Sequence, residues 1–450
     1  MGEHRLALNV KGDRDFFERF FRLAAVNVLS NLMVPLASLL DMAFLGHLPD
    51  IHPLAGVALA TVLFNYLYWT FGFLRMGTTG LTAQAIGRDD PDEVMLIGLR
   101  NGLIALIAGV GMVLLQEPLR IIGFALLNAT AAVKASGQAY YSALIWGAPA
   151  TLINMTLVGW FLGREQSSKV LLLSAVSNGS KVVLEYLFVV QWGWQSVGAG
   201  SATTVSQYLM VFVGVLLVGC DRTLTWNLPH LRQRLLDATA MQASFTLNGA
   251  IVIRTFAFVS TFAAFTNLSS SMGTAILTAN ALMLQVVSLA AYFIDGLAFA
   301  TETMAGVFYG KNNLDNLALL VRVSGITSLG LGLTLAIAFT AMPTLLFGLL
   351  TNHPEIVELI RGQVPWLWGI LGFGSIAYML DGYFLGLTQA QIIQKSALIA
   401  TLVGFAPIAA IAGFLQNVHL LWFALTIFMA TRALTLALQV PKTFQSKSSC

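Results

Sequence analysis

Residues 20–48 read FFRLAAVNVLSNLMVPLASLLDMAFLGHL, an apolar stretch that is long enough to cross a lipid bilayer. It carries a proline, Pro35, and a carboxylate, Asp41, six residues apart. An ionised aspartate inside an apolar membrane helix costs roughly 2.5–3.5 kcal/mol on insertion scales. A proline inside a helix removes one backbone hydrogen bond and bends the helix. The stretch therefore predicts a bendable membrane helix that carries a proton or cation site.

The composition indicates an integral membrane protein. Of the 450 residues, 57% are hydrophobic and 10% are charged, and the mean hydropathy is +0.77, whereas a soluble domain carries roughly 25% charged residues. The net charge of +3 is too small and too dispersed to suggest nucleic-acid binding. The sequence has no nucleotide-binding loop, HExxH motif, GxSxG motif or dinucleotide fingerprint. We therefore expect no enzyme, no cofactor and no metal site, and an ion gradient as the driving force.

Apolar runs of about 20 residues predict twelve transmembrane helices. The runs lie near residues 20–47, 54–86, 94–115, 138–162, 169–190, 197–219, 238–266, 273–309, 316–348, 357–387, 393–415 and 419–440. Of the 24 Lys and Arg residues, 17 lie on the side of the N-terminus and three on the other side. The other four are inside helices: Arg75, Lys181, Arg254 and Arg432. The positive-inside rule then predicts that both termini lie in the cytoplasm. We expect the membrane to be a bacterial-type inner membrane.

The second half of the chain repeats the first at a constant spacing, which we call the repeat offset. Residues 159–163 read GWFLG and residues 382–386 read GYFLG, so the offset takes Gly159 to Gly382. The same offset relates Gln166 to Gln389, Gly87 to Gly310 and Leu54 to Leu277. We predict an all-α membrane fold of two six-helix lobes, related by a pseudo-twofold axis along the membrane normal, with a cavity between them. The predicted divisions are an N-terminal segment 1–19, an N-lobe 20–219, a linker 220–237, a C-lobe 238–440 and a tail 441–450.

Charged side chains inside the predicted N-lobe helices suggest a proton or cation site. Lys181 precedes Glu185 by four residues, which places the two on one helix face within reach of an ion pair. At 1.5 Å per residue, Glu185 and Asp41 lie at similar depths, about 9 and 10 Å from the outer ends of their helices. Two neighbouring carboxylates can share a proton or a cation. Three polar residues are candidates to complete the site and its cavity: Asn154, Asn178 and Thr203.

The predicted C-lobe has its own buried charges. Asp295 and Glu302 are seven residues apart, two turns along one helix face, and Asp381 lies in a later helix. Arg254 lies inside the first helix of this lobe. Such a polar network either binds cations or locks the lobe internally, and the sequence leaves both alternatives open.

These stretches resemble the multidrug and toxic compound extrusion (MATE) transporters of the DinF branch. In the N-lobe the matching stretches are VPLASLLDMAFLGHL, FLRMGTTGLTAQAIG and GWFLG. In the C-lobe they are IVIR, FIDGLAFATETMAG, MLDGYFLG and TRALTLAL. The resemblance spans about residues 20 to 440 and implies a V-shaped exporter that exchanges cations for amphipathic, often cationic drugs.

The resemblance also implies roles for single residues. Asp41 matches the aspartate whose protonation bends the first helix around the proline matched by Pro35. Glu185 matches the family's aspartate in the fifth helix, and Lys181 replaces an asparagine four residues before it. The family's asparagine of the fourth helix and threonine of the sixth fall on Asn154 and Thr203. An ammonium would repel sodium, so the departure at Lys181 favours proton coupling.

Two transport alternatives stay open beside the proton-coupled drug exporter. One is a sodium-coupled exporter of the same family. The other is a flippase of a lipid-linked precursor, which would need a basic central cavity for pyrophosphate. We expect small amphipathic or cationic drugs and membrane lipids as partners, and a monomer.

Overall fold

The computed structural model describes residues 10–221, 234–235, 237–348, 350–351 and 353–444. The predicted N-terminal segment 1–19, linker 220–237 and tail 441–450 lie partly outside these residues. Within the described ranges, twelve long helical spans follow one another in chain order. They are α1 (Val10–Gly46), α2 (His52–Gly87), α3 (Pro91–Leu114), α4 (Ala131–Gly163), α5 (Ser167–Gln191), α6 (Gln195–Gly219), α7 (Ala238–Ser271), α8 (Thr274–Gly310), α9 (Leu314–Ala341), α10 (Trp366–Gly386), α11 (Ala390–Leu415) and α12 (Val418–Ala437).

Eleven spans of the described chain are long and apolar enough to cross a membrane. The twelfth, α10, has 21 residues, which at 1.5 Å per residue covers about 30 Å, the thickness of the hydrocarbon core. Its glycines, tryptophans, tyrosines and Asp381 lower its mean hydropathy, and it packs against α8, α9 and α12. The structure thus has the predicted all-α membrane fold.

Several spans are interrupted. A turn at residues 71–72 divides α2, and a 3₁₀ turn occupies Ile145–Gly147 in α4. Two spans contain π-helical segments, Tyr186–Gln191 in α5 and Ala400–Phe405 in α11. The predicted run 357–387 consists of two helices, Pro354–Gln363 and α10. Two further short helices, Gln116–Leu126 and Pro343–Gly348, lie in the loops that follow α3 and α9.

The first helix begins at Val10, ten residues before the predicted boundary at residue 20. Charged residues in this part of the chain exclude it from an apolar window, but its aromatic residues follow the helical period. Phe16 and Phe20 are buried, and the ring of Phe16 stacks on that of Phe308, with ring centroids 6.0 Å apart. The start of α1 is therefore packed against the end of α8.

Contacts between α2 and α8 establish the pseudo-twofold relation. A Cβ atom on Gly87 would lie 2.3 Å from the carbonyl oxygen of Val307, and one on Gly310 would lie 2.4 Å from that of Gln84. The repeat offset relates the two glycines to each other, and it also relates the two carbonyl groups. The two contacts are therefore reciprocal, as they must be at a twofold axis.

The same offset appears inside the lobes. Gly159 packs on the carbonyl of Arg75 in the N-lobe, and Gly382 packs on the carbonyl of Ala298 in the C-lobe. Left-handed residues also recur in pairs, Asp89 with Asn312 and Glu165 with Thr388. The first pair lies in the turns that follow the second helix of each lobe, and the second pair lies in the turns that follow the fourth helix of each lobe. The repeat thus fixes backbone packing and turn conformation as well as helix number.

The two membrane faces differ in charge. On one face of the membrane α1 begins and α2, α4, α8 and α10 end. We call it the basic face, because its loops carry most of the Lys and Arg residues. Contacts between the lobes concentrate in the half of the fold near this face. They include hydrogen bonds from Gln84 to the carbonyl of Gly386 (3.0 Å) and from Thr303 to that of Leu162 (3.1 Å).

Candidate functional site

Asp41 and Lys181 form an ion pair that joins α1 to α5. Both side chains are largely buried, with 18% and 17% of their surfaces exposed. The predicted pair of Lys181 with Glu185 is therefore wrong. Lys181 and Glu185 are four residues apart on α5, as the sequence shows. However, α1 packs along α5 at the level of Lys181 and brings the carboxylate of Asp41 to its ammonium group.

Glu185 lies beside this pair without a partner of its own. Its side chain is 1% exposed, and among the described residues neither of its oxygens has a donor within hydrogen-bonding distance. Its carboxyl group adjoins that of Asp41. The site thus contains two carboxyl groups and one ammonium group, and it is electrically neutral when it holds one proton.

A tyrosine that the sequence interpretation missed completes the cluster. Tyr140, in α4, has Asp41 and Glu185 among its electrostatic neighbours and Thr61 and Thr203 as hydrogen-bonding neighbours. Tyr140 is 7% exposed. A tyrosine in an apolar run is common in membrane helices, so only its place in the fold reveals this role.

The three polar candidates of the N-lobe are placed differently from one another. Asn154 is buried and donates to the backbone carbonyl (2.9 Å) and to the side-chain oxygen (2.8 Å) of Gln207 in α6. Gln207 in turn donates to Ser177 in α5, at 3.2 Å. Asn178 and Thr203 each donate to a carbonyl one turn back in their own helices. Of the three, Thr203 is the one that neighbours Tyr140, whose electrostatic neighbours include Asp41 and Glu185.

The C-lobe has a separate cluster centred on Asp381. One oxygen of this buried carboxylate accepts hydrogen bonds from both Arg254 of α7 and Arg432 of α12. The guanidinium of Arg432 is 1% exposed and lies 5.2 Å from the ring centroid of Phe258. Arg432, which the sequence analysis names only among the cationic residues inside helices, is thus part of the polar network of the C-lobe.

The two acids of α8 have different surroundings. Glu302 is 1% exposed and pairs with Arg75 of α2 at 3.3 Å, so this ion pair crosses from one lobe to the other. Arg75 also lies over the ring of Phe299, 4.0 Å from its centroid. Asp295 is half-buried, and its electrostatic neighbours include Arg75 and Arg254. Each of the two acids of α8 therefore has at least one arginine among its electrostatic neighbours.

Pro35 lies inside α1, between two differently anchored halves of this helix. Toward the basic face, Val28 packs on Gly296 of α8, and the amide of Asn31 donates to a carbonyl of α8 at 3.3 Å. Beyond Pro35, Asp41 is bound to α5 and Leu45 belongs to the N-lobe core. Pro35 cannot donate a backbone hydrogen bond to the carbonyl of Asn31. The weakest turn of α1 thus lies where its packing changes from the C-lobe to the N-lobe.

This arrangement, two six-helix lobes with an ion-coupling candidate in a proline-containing first helix, is that of a secondary transporter. The MatE family model matches residues 27–187 and 250–415. DNA damage-inducible protein F of Escherichia coli (strain K12) is 32% identical over 93% of this chain and 90% of its own length. The chain therefore belongs to the MATE family of transporters.

More distant relatives and solved structures agree with this assignment. The probable multidrug resistance protein NorM of Thermotoga maritima is 21% identical over 82% of this chain and 80% of its own length. A transporter of the MOP superfamily from Pyrococcus furiosus has the same fold, with a TM-score of 0.86, 18% identity, and coverage of 95% of this chain and 96% of that one. The bent form of the Vibrio cholerae MATE transporter VcmN superimposes with a TM-score of 0.85, 18% identity, and coverage of 96% and 98%.

Proposed function

We propose that this protein is a multidrug efflux antiporter that exports amphipathic, often cationic compounds in exchange for protons. The observation that carries the proposal is the cluster of Asp41, Lys181 and Glu185. Two carboxyl groups and one ammonium group have a net charge of zero with one proton bound and of −1 without it, so the site can take up and release one proton. The names of NorM and of the MATE structures support drugs as the exported compounds.

The position of Lys181 favours a proton over sodium as the coupling ion. A sodium ion between Asp41 and Glu185 would lie within a few ångströms of the ammonium group. Two positive charges about 4 Å apart repel by about 4 kcal/mol at an effective dielectric constant of 20. A proton adds no second cation, because it forms a neutral carboxyl group. Lys181 therefore supplies the positive charge that sodium would otherwise bring.

The coupling step in this proposal is a change in the attachment of α1. When Asp41 becomes protonated, its ion pair with Lys181 is lost, and the outer half of α1 loses its ionic contact with α5. The other half stays packed against α8. Motion is then concentrated at Pro35, where one backbone hydrogen bond is already missing. Bending there changes the volume of the N-lobe cavity and displaces bound drug.

We infer that the basic face is cytoplasmic, because the positive-inside rule applies to short loops of this kind. The bacterial relatives support a bacterial-type inner membrane as the location. The alternative of a flippase for lipid-linked pyrophosphates receives less support. The four cationic side chains inside the helices all have carboxylate partners. A pyrophosphate would have to displace these carboxylates before it gained any cationic partner.

Efflux from inverted membrane vesicles tests the coupling ion. We expect an imposed pH gradient alone to drive transport of a cationic dye such as ethidium, and an imposed sodium gradient alone to drive none. Vesicles without the protein provide the background. Transport driven by sodium alone would contradict the role given to Lys181. If neither gradient drives dye transport, the flippase alternative is favoured.

Replacement of Lys181 by asparagine tests the reason for proton coupling. Lys181→Asn removes the ammonium group and leaves two carboxylates that can bind a sodium ion. We expect efflux by this variant to respond to sodium, while the wild type does not. Lys134→Asn, at the opposite face, is the matched control. A variant that is indifferent to sodium would show that Lys181 does not decide the ion.

A further inference from the structure

A small cavity opens at the face opposite the basic face, between the outer ends of α2, α4 and α6. Its volume is about 290 Å³. Its lining includes Asp50, His52, Ser136, Trp194 and Ser196. Drug-sized ligands occupy roughly 300–1,000 Å³, so this cavity is too small for a typical drug. At roughly 30 Å³ for each water molecule, it has room for about ten.

The mouth of this cavity carries an acid and a histidine. The ring of His52 lies 2.5 Å from a carboxylate oxygen of Asp50, and the backbone N–H of His52 donates to the same oxygen at 3.0 Å. The backbone hydrogen bond, followed by the hydrogen bond with the ring, lowers the pKa of Asp50. Asp50 is therefore stabilised as a carboxylate at this face, in hydrogen-bonding contact with the imidazole ring of His52.

The inner wall of the cavity leads toward the carboxyl groups of the coupling site. The hydroxyls of Ser136 in α4 and Ser196 in α6 are 2.5 Å apart. Tyr140 follows Ser136 by four residues, and Thr203 follows Ser196 by seven, so each pair lies along one face of its helix. Tyr140 and Thr203 are hydrogen-bonding neighbours, and Asp41 and Glu185 are electrostatic neighbours of Tyr140. Two helices thus carry aligned hydroxyl groups from the cavity to the coupling site.

The sequence of the C-lobe lacks the two serines at which this line begins. At the repeat offset, Ser136 corresponds to Leu359 and Ser196 to His419. The C-lobe also lacks the coupling carboxylates, because Asp41 corresponds to Ala264 and Glu185 to Ile408. The serine pair and the coupling carboxylates therefore occur together in one lobe and are both absent from the equivalent sequence positions of the other, where Thr426, the equivalent of Thr203, keeps a hydroxyl.

We propose that protons reach Asp41 and Glu185 from the outer face through this cavity and the hydroxyl line, separately from the drug pathway between the lobes. Each hydroxyl accepts a proton on its oxygen and passes its own proton onward. Water in the cavity reaches Ser136 and Ser196, and water between the helical turns beyond the cavity links these serines to Tyr140 and Thr203. The last transfer forms the neutral carboxyl group, and the relay hydroxyls are left unchanged. This inference rests on the proposed proton coupling.

The double variant Ser136→Ala/Ser196→Ala removes the hydroxyl pair with little change in volume. We expect turnover driven by a pH gradient to fall roughly tenfold or more in proteoliposomes. Equilibrium binding of ethidium should stay unchanged, because the drug pathway is not altered. Ser270→Ala/Ser271→Ala, at the outer end of α7, makes the same change away from the line and should keep wild-type turnover.

The outcomes separate this inference from the function on which it rests. If the wild type shows no proton-driven transport, both fail. If the wild type is proton-driven and the double variant turns over as fast, the hydroxyl line fails and the function stands. Reduced turnover together with weaker ethidium binding would also overturn the separate pathway.

A second variant keeps the test independent of the folding of the double variant. Ser196→Cys, with Cys220 and Cys450 replaced by serine, places one thiol in the line. We expect a membrane-impermeant methanethiosulfonate, added at the outer face, to label this thiol and to stop proton-driven turnover. Absence of labelling, or full labelling without loss of turnover, would overturn the proposal.

Discussion

Asp41→Asn should reduce proton-driven efflux by roughly a hundredfold or more while leaving a folded protein. The wild-type site has two carboxyl groups and one ammonium group, so neutrality requires one proton. The variant has one of each, and Glu185, four residues after Lys181, can take over the ammonium group. The site is then neutral without a proton, and the contact between α1 and α5 no longer depends on the pH gradient.

The measurement is ethidium efflux driven by an imposed pH gradient, beside thermal unfolding in detergent. Glu117→Gln is a matched control, because Glu117 is an exposed acid that pairs with Arg120 in a loop helix at the outer face. It should transport like the wild type. Wild-type efflux by Asp41→Asn would remove Asp41 from the coupling mechanism, whereas a large loss of thermal stability would indicate a structural role instead.

The membrane fold and the first coupling residues could be predicted because their signals are local. A carboxylate and a proline inside an apolar run identify Asp41 and Pro35 without any knowledge of packing. The repeat offset is also visible in the sequence. It predicts the pseudo-twofold relation between the lobes, which the reciprocal contacts of Gly87 and Gly310 demonstrate in the fold. These features depend on hydropathy and on exact repetition, both of which are properties of the chain itself.

The partners of the charged groups could not be predicted in the same way. Lys181 is 140 residues from Asp41, and Arg75 is 227 residues from Glu302. Sequence spacing reports neighbours on one helix, so it suggested Glu185 as the partner of Lys181. The choice between two carboxylates at similar depth is decided by how α1 packs on α5, which no local pattern encodes.

The start of α1 was mispredicted for the same reason, because a local sequence pattern does not show how a helix packs. The hydropathy of residues 10–19 is low, yet these residues are helical because two phenylalanines on one side of the helix are buried. An apolar window averages around the helix and misses a single buried side. The predicted boundary at residue 20 therefore marks where α1 becomes apolar all round, and not where it begins.

Asp381→Asn should destabilise the folded protein by about 3–5 kcal/mol, the usual cost of removing one partner from a buried ion pair. Asp381 is the carboxylate that binds both Arg254 and Arg432. Its loss leaves two buried guanidinium groups with an amide between them. Glu358→Gln, which breaks an exposed pair with Arg361, is the control and should cost less than about 1 kcal/mol.

A triple variant decides whether this cluster locks the C-lobe or binds cations. Arg254→Met/Asp381→Leu/Arg432→Met replaces all three charges by apolar groups of similar volume, which is often neutral or stabilising. If the cluster is a lock, unfolding in detergent should occur near the wild-type temperature and ethidium efflux should continue. A stable triple variant without efflux would instead assign the cluster to ion or drug binding. We expect the first result, because the carboxylate of Asp381 already holds two guanidinium groups, and a third cation would have to displace one of them.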